Sequence, residues 1–251
     1  MTIQREKKEI KLVALDIDGT LLDSNHQLSK ENAQAISEAQ EQGIYVVLST
    51  GRSLMTCSEF AETLKLSSYL VTVNGSEIWD KNLNLMERNQ LDSKLVQRMW
   101  DLRNEHGTHA WATSVGQVWR NEMPDDIHQT EWLKFGFDVE DDEIRLAILK
   151  ELQSHGELEI SNSSPTNLEI NAAGVNKARG LEKVCGYLNI TMDHVMAVGD
   201  SLNDLAMIKE AGIGVAMGNA QQLVKDTANW VTSTNDEAGV AKAIRTWVLS
   251  S

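Results

Sequence analysis

The stretch Lys11 to Leu22, read KLVALDIDGTLL, constrains this chain more than any other. Leu12 to Leu15 is an apolar run with a β-branched member and no breaker, which predicts a short buried strand. Asp16 and Asp18 follow where that strand should end, and alternate positions of an extended chain point their side chains to one side. Gly19 then lets the backbone turn sharply. Two carboxylates so close repel unless a cation lies between them or one keeps a proton, and both conditions are useful in catalysis. Taken alone, the spacing reads as a pair of loop aspartates; the strand before it, Gly19-Thr20 after it and the motifs downstream favour the catalytic reading.

The next segments repeat one rhythm. Leu28 to Gly43 predicts a helix with Ser29 as N-cap and Gly43 as its stop, and Ile44 to Leu48 predicts a second apolar strand closed by Ser49-Thr50-Gly51-Arg52. Ser53 to Leu66 reads as helix and Tyr69 to Val73 as a third strand ending in Asn74-Gly75. Strands alternating with helices predict a parallel sheet, an α/β fold of Rossmann-like kind. Ligands of such sheets collect at the carboxyl ends of the strands, where Asp16, Asp18, Thr50 and Asn74 all fall.

From about Trp79 the rhythm changes. Short strand-like pieces (Glu77 to Trp79, Ala110 to Ser114, Gln117 to Arg120, Glu157 to Ser161, Asn167 to Asn171) accompany helical ones (Asp92 to His106, Asp141 to His155). Residues 80–172 are therefore expected to form an α+β domain inserted into a discontinuous core of residues 1–79 and 173–251. The parallel pattern resumes with helix Lys177 to Leu188, strand Val195 to Val198, the loop Gly199 to Asp204 and helix Leu205 to Ala211. Strand Ile213 to Ala216, a helix near Ala220 to Asp226, a short strand near Trp230 and a last helix from Asp236 to Trp247 complete it.

Composition limits the partners. With 23 Lys and Arg against 37 Asp and Glu, the formal net charge of −14 repels nucleic acid and anionic membrane, so neither is expected, and no motif indicates a protein partner. A small anionic substrate would need a local positive device. The opening MTIQREKKEI lacks the apolar segment of a secretory signal, and no run approaches the roughly 20 apolar residues that span a bilayer, so a cytoplasmic place is expected. Cys57 and Cys185 lack metal-binding spacing and read as buried free thiols.

Three pieces could serve the aspartates. Thr50 with the Gly51 amide at a helix start makes an anion-friendly corner, or simply a helix cap. Lys177 opens a helix, where its charge opposes the dipole, so either an anionic group faces it or it is solvated. Asp200 ends another apolar strand and adds a third carboxylate to the same edge, an oxygen-rich set suited to a hard cation such as Mg2+; capping of the next helix is the plainer alternative.

In order, DIDGT, STGR, Lys177 and GDSLND resemble the four motifs of the haloacid dehalogenase superfamily of phosphohydrolases. The spellings VVLSTGRS, NLEINAAGVNK and GDSLNDLAMIKEAGIGVAMGNA look more specifically like its Cof-type branch, whose C2-type α/β cap is inserted between the second and third motifs. The resemblance implies a Mg2+-dependent phosphatase of a small phosphorylated metabolite, a sugar phosphate or similar phosphomonoester. Asp16 would be the nucleophile that becomes an aspartyl phosphate, and Asp18 would protonate the leaving oxygen and later deprotonate water. It implies further that Asp16, Asp18 through its carbonyl, and Asp200 hold the metal, while Ile17, Thr50, Gly51, Lys177 and Asn203 hold the phosphate and Asp204 supports them from behind. Lys177 is followed by Ala178, where many relatives carry glycine.

A sugar phosphomutase uses the same motifs and differs in where the phosphate goes. A phospho-accepting signalling module needs neither a proton donor at Asp18 nor a large insertion. Trp111, Trp119 and Trp132 are candidates for the pocket wall, with core packing as the alternative for each.

Overall fold

The computed structural model describes residues 9–154, 156 and 158–249. The first eight residues, His155 at the end of a predicted helix and Glu157 at the start of a predicted strand lie outside the described residues.

The first half of the core is β1 (Leu12–Leu15), α1 (Lys30–Glu41), β2 (Tyr45–Ser49), α2 (Leu54–Thr63) and β3 (Leu70–Thr72). Ser29 caps α1 by accepting from the Asn32 amide. β1, β2 and β3 pair in parallel. The hairpin β4 (Glu77–Trp79) and β5 (Leu85–Arg88) extends the same sheet antiparallel. The expected domain change at residue 80 thus falls in the turn of this hairpin, where the Asp80 carboxylate accepts from the Asn82 and Asn84 amides.

The inserted segment contains α3 (Ser93–His106), β6 (His109–Ser114), β7 (Gln117–Arg120), β8 (Trp132–Asp138), α4 (Asp142–Ser154), β9 (Leu158–Ser161) and β10 (Asn167–Ala172). The chain returns to the core through α5 (Lys177–Leu188), β11 (Val195–Gly199), α6 (Leu205–Glu210), β12 (Ile213–Ala216), α7 (Gln222–Thr227), β13 (Trp230–Val231) and α8 (Gly239–Ile244).

The first sheet has the order β13-β12-β11-β1-β2-β3-β4-β5. β1 lies between β2, from before the insertion, and β11, from after it, in parallel with both. Its side chains and those of β11 are fully buried between helical layers, which is why both strands read as unbroken apolar runs. The carboxyl ends of β1, β2 and β11 therefore stand side by side, bringing Asp16, Thr50 and Asp200 to one edge.

The second sheet is antiparallel, in the order β7-β6-β8-β10-β9. Alternation gives it two faces. Ala110, Ala112, Phe135, Phe137, Leu168 and Ile170 pack with Val96, Met99 and Leu102 of α3 and Ile148 and Leu152 of α4. On the other face, Trp111, Thr113, Lys134, Glu169 and Asn171 look toward the loops of the first sheet, as the bonds Lys134 Nζ to Gly51 O and Asn171 Nδ2 to Val73 O show. One irregularity changes this register: Thr113 pairs with Lys134 but Ser114 with Trp132, leaving Leu133 as an extra residue. The bulge turns Trp132 into the helix-side core, fully buried, with its Nε1 donating to Ile127 O. Trp119 packs beside it, ring centroids 6.4 Å apart. Neither of these tryptophans is a pocket wall.

The whole is an α/β fold, a parallel-rich core sheet carrying an inserted α+β unit.

Candidate active site

Asp16 is the first residue after β1 and is almost completely buried. The turn that follows depends on Gly19, whose φ of +76° belongs to the left-handed region and whose added β carbon would lie 2.6 Å from Asp200 Oδ2. This glycine lets the Asp16 loop and the Asp200 loop approach.

Lys177, the first residue of α5, is fully buried. Its ammonium donates to Asp16 Oδ1 at 2.5 Å and to Asp204 Oδ1 at 2.7 Å, which answers the anomaly of a cation at a helix start. Burial alone would depress its pKa, but Asp16 and Asp204 outweigh that and hold it protonated, above the ordinary lysine value. Asp204, from the loop after β11, is also fully buried, and its second oxygen accepts from the amides of Asp200 at 2.9 Å and Ser201 at 3.0 Å. Asp200 accepts from Thr20 Oγ1 and from Ser201 Oγ.

Oxygens of Asp16, Asp200 and Asp204 lie within 4.8 Å of one another. Burial pushes Asp16 well above its ordinary value, opposed by Lys177 and assisted by Asp204 and Asp200. Burial, then Asp204, brings Asp200 up to about 7. Three carboxylates with one ammonium is an excess of negative charge that a divalent cation would relieve, and an all-oxygen donor set suits a hard ion.

The Asp18 carboxylate does not join this cluster. Half-exposed, it is held by the Arg52 fork, Nε to Oδ2 at 2.7 Å and Nη2 to Oδ1 at 2.6 Å, so only its backbone carbonyl remains for a metal. Thr50 is buried, with its hydroxyl accepting from the Arg52 amide. Gly51 follows it at the mouth of the cavity that Asp16 also lines. Asn203 lines the same cavity, with its Oδ1 buried and lacking a partner among the described residues. The Ile17 side chain lies in the hydrophobic core, which leaves only its backbone for a ligand.

Sequence reasoning missed Arg52, Lys134 and Glu169. The last two form a buried ion pair of 3.1 Å, and Lys134 also donates to Gly51 O at 2.8 Å. Glu169 accepts from Asn74 Nδ2 at 2.6 Å and Ser163 Oγ at 2.6 Å. Burial would raise the Glu169 pKa, but Lys134, Ser163 and Asn74 bring it down to about 2. A carboxyl depressed on folding contributes stability that is present above its unfolded value and is lost as pH falls through the folded one. Glu169→Gln should therefore cost about 3 kcal/mol at pH 7, where Lys134 is left buried and unpaired. In urea titrations at stepped pH the deficit should shrink from about pH 4.5 downward; a deficit constant with pH would refute the assignment.

The cavity in front of these groups measures about 310 Å³. Asp16, Asp18, Gly51, Arg52 and Asn203 form its core side, and Trp111, Thr113, Val118, Arg120 and Lys134 of the second sheet form the facing wall. Of the three candidate tryptophans only Trp111 reaches it. Among the described residues no helix is long and apolar enough to cross a membrane, and both cysteines are buried and free.

Comparison with known proteins agrees with this fold. A model of haloacid dehalogenase-like hydrolases matches residues 13–146 and 121–244. A 5-amino-6-(5-phospho-D-ribitylamino)uracil phosphatase of Bacillus subtilis strain 168 is 62% identical over 249 residues, covering 99% of this chain and 100% of that protein. Among solved structures, a haloacid dehalogenase-like hydrolase from B. subtilis superposes with a TM-score of 0.87 at 27% identity, covering 94% of this chain and 99% of that one. Another from Bacteroides thetaiotaomicron gives 0.80 at 30% identity, covering 95% and 99%.

Proposed function

The chain belongs to the haloacid dehalogenase-like hydrolase family and is a phosphatase, and from this we propose that Asp16 attacks the phosphorus of 5-amino-6-(5-phospho-D-ribitylamino)uracil to form an aspartyl phosphate that water then opens. The substrate is that of the relative with 62% identity. The observation that carries the reaction is the fully buried Lys177 between Asp16 and Asp204, beside Asp200, behind the Asp16 carboxylate that lines the cavity.

Phosphoryl transfer asks a protein for an aligned nucleophile and for positive charge around the phosphoryl oxygens. Lys177 supplies one such charge and keeps Asp16 aimed. The Thr50 hydroxyl, the Gly51 and Ile17 amides and the Asn203 side chain would hold phosphate oxygens in line. Asp16 Oδ forms the new bond to phosphorus while the bond to the leaving oxygen breaks, and Asp18 gives that oxygen its proton. Asp18 then takes a proton from water as the water oxygen bonds to phosphorus and Asp16 leaves. Arg52, clamped on both Asp18 oxygens, fixes where this exchange happens.

Asp16, the Asp18 carbonyl and Asp200 would hold Mg2+, with Asp204 behind them. The ion would supply charge that keeps the anionic nucleophile and the phosphate from repelling.

Inorganic phosphate release is the test, with the uracil substrate and a panel of sugar phosphates. The uracil compound should give the highest kcat/KM, chelation should bring release to background, and added Mg2+ should restore it. Undiminished release after chelation and dialysis would remove the metal from the reading. Phosphate moved to another hydroxyl without release would make the protein a mutase.

A further inference from the structure

The wall facing the catalytic carboxylates has a chemistry of its own. In the second sheet Trp111 of β6 is paired directly with Arg120 of β7 on one side and Gly136 of β8 on the other, so the three form one row across the core-facing surface. A β carbon on Gly136 would lie 2.3 Å from two indole carbons; its absence lets the indole lie over β8. From the neighbouring row, where it pairs with Thr113, Lys134 places its Nζ 4.7 Å from the indole centroid and 2.8 Å from Gly51 O. The ammonium thus joins the indole to the corner where phosphate would sit. At the outer end Arg120 is exposed and lines the same cavity, with the Asp138 carboxylate near enough to feel its charge.

This wall offers donors and apolar surface. Its acceptor Glu169 is already engaged by Lys134, Asn74 and Ser163, and Asp138, on the same face beside Arg120, stands outside the cavity lining, which leaves the Thr113 hydroxyl. A hydroxylated ring would need acceptors for its O–H groups. A flat ring bearing carbonyl oxygens would instead stack on an indole and take hydrogen bonds from a guanidinium. We propose that Trp111 and Arg120 read the leaving group as a planar, carbonyl-bearing heteroaromatic ring, the indole stacking on its face and the guanidinium donating to its oxygens. This inference rests on the phosphatase reading and deepens it by assigning the residues that select the substrate.

The test compares two phosphomonoesters that share a polyol chain, 5-amino-6-(5-phospho-D-ribitylamino)uracil and ribitol 5-phosphate, which has no ring. Native protein should prefer the first. Trp111→Ala should lower kcat/KM for it by roughly tenfold to a hundredfold, the range of base stacking on aromatic side chains. Ribitol 5-phosphate should stay within about twofold, which also shows that the variant is folded. Trp111→Phe should keep most of the preference, and Arg120→Gln should raise KM for the uracil compound alone. Equal losses on both substrates in Trp111→Ala, or an unchanged preference, would overturn the assignment. Native protein that hydrolyses ribitol 5-phosphate at least as well as the uracil compound would overturn it too, with the phosphatase reading intact. No release from either would overturn the proposed substrate, and this inference with it.

Discussion

Asp16→Asn protein should lose phosphatase activity by a factor on the order of 10⁴ to 10⁶, the scale seen when a catalytic nucleophile is removed, and should melt within a few degrees of the native protein. The two halves of this result belong together. A carboxamide cannot become an acyl phosphate intermediate, so the loss is chemical. The fold is spared because burial already works against the charged form of Asp16, and because Lys177 keeps Asp204 as a partner. Phosphate release and thermal unfolding of freshly prepared protein would measure both, with Asp16→Ala as a control against slow deamidation. Activity within about tenfold of native in both variants would remove Asp16 from the chemistry. A collapse in melting temperature would show that its role is structural.

Lys177→Met should fail in both respects. Removing one partner of a buried ion pair costs about 3–5 kcal/mol, since the remaining charge is left without compensation. Here Asp16 and Asp204 lose their shared ammonium while Asp200 stays close. At roughly 2–4 °C per kcal/mol for a chain of this size, the melting temperature should fall by about 10 °C. Activity should fall by at least about a hundredfold, the cost of removing one group that stabilises developing charge. Adding Asp204→Asn should recover part of the stability and none of the activity, because the second change removes a stranded charge without returning the first. A double variant less stable than the single one by the full Asp204→Asn effect would show that the two residues are not coupled.

Much of this site could be read along the chain, because its central pieces sit at the ends of strands and their spacing is local. Asp16 and Asp18 follow an apolar run, Asp200 follows another, and Lys177 stood out as a cation placed against a helix dipole. The structure shows the reason for that placement, two carboxylates 2.5 and 2.7 Å from its nitrogen. What could not be read depends on register. The strand Trp132–Asp138 was missed because the bulge at Leu133 sets Trp132 and Leu133 side by side before the alternation begins, and because glycine, as at Gly136, is depleted in strands. Without that strand, the Lys134–Glu169 pair could not be foreseen, since it joins residues that meet only when β8 and β10 are neighbours. The strand Leu85–Arg88 was missed because it is short, partly exposed and reached through a tight turn, so the core sheet ran further than the change of rhythm near Trp79 suggested. Trp119 and Trp132 show a limit of composition: indoles in an inserted segment are as readily structural as functional, and only the face each occupies decides which.

The position of β1 between β2 and β11 has a consequence for how the molecule is made. A ribosome delivers β1, β2 and β3 first, and the inserted segment with its separate apolar cluster emerges next. Until β11 has left the exit tunnel, one side of β1 is an unpaired apolar edge, the kind that joins other chains. The nascent protein therefore carries Asp16 for most of its synthesis without the two residues, Lys177 and Asp200, that would make it a nucleophile. Translation that stops early yields a sticky half-sheet and no enzyme, and catalytic competence arrives only with the last third of the message.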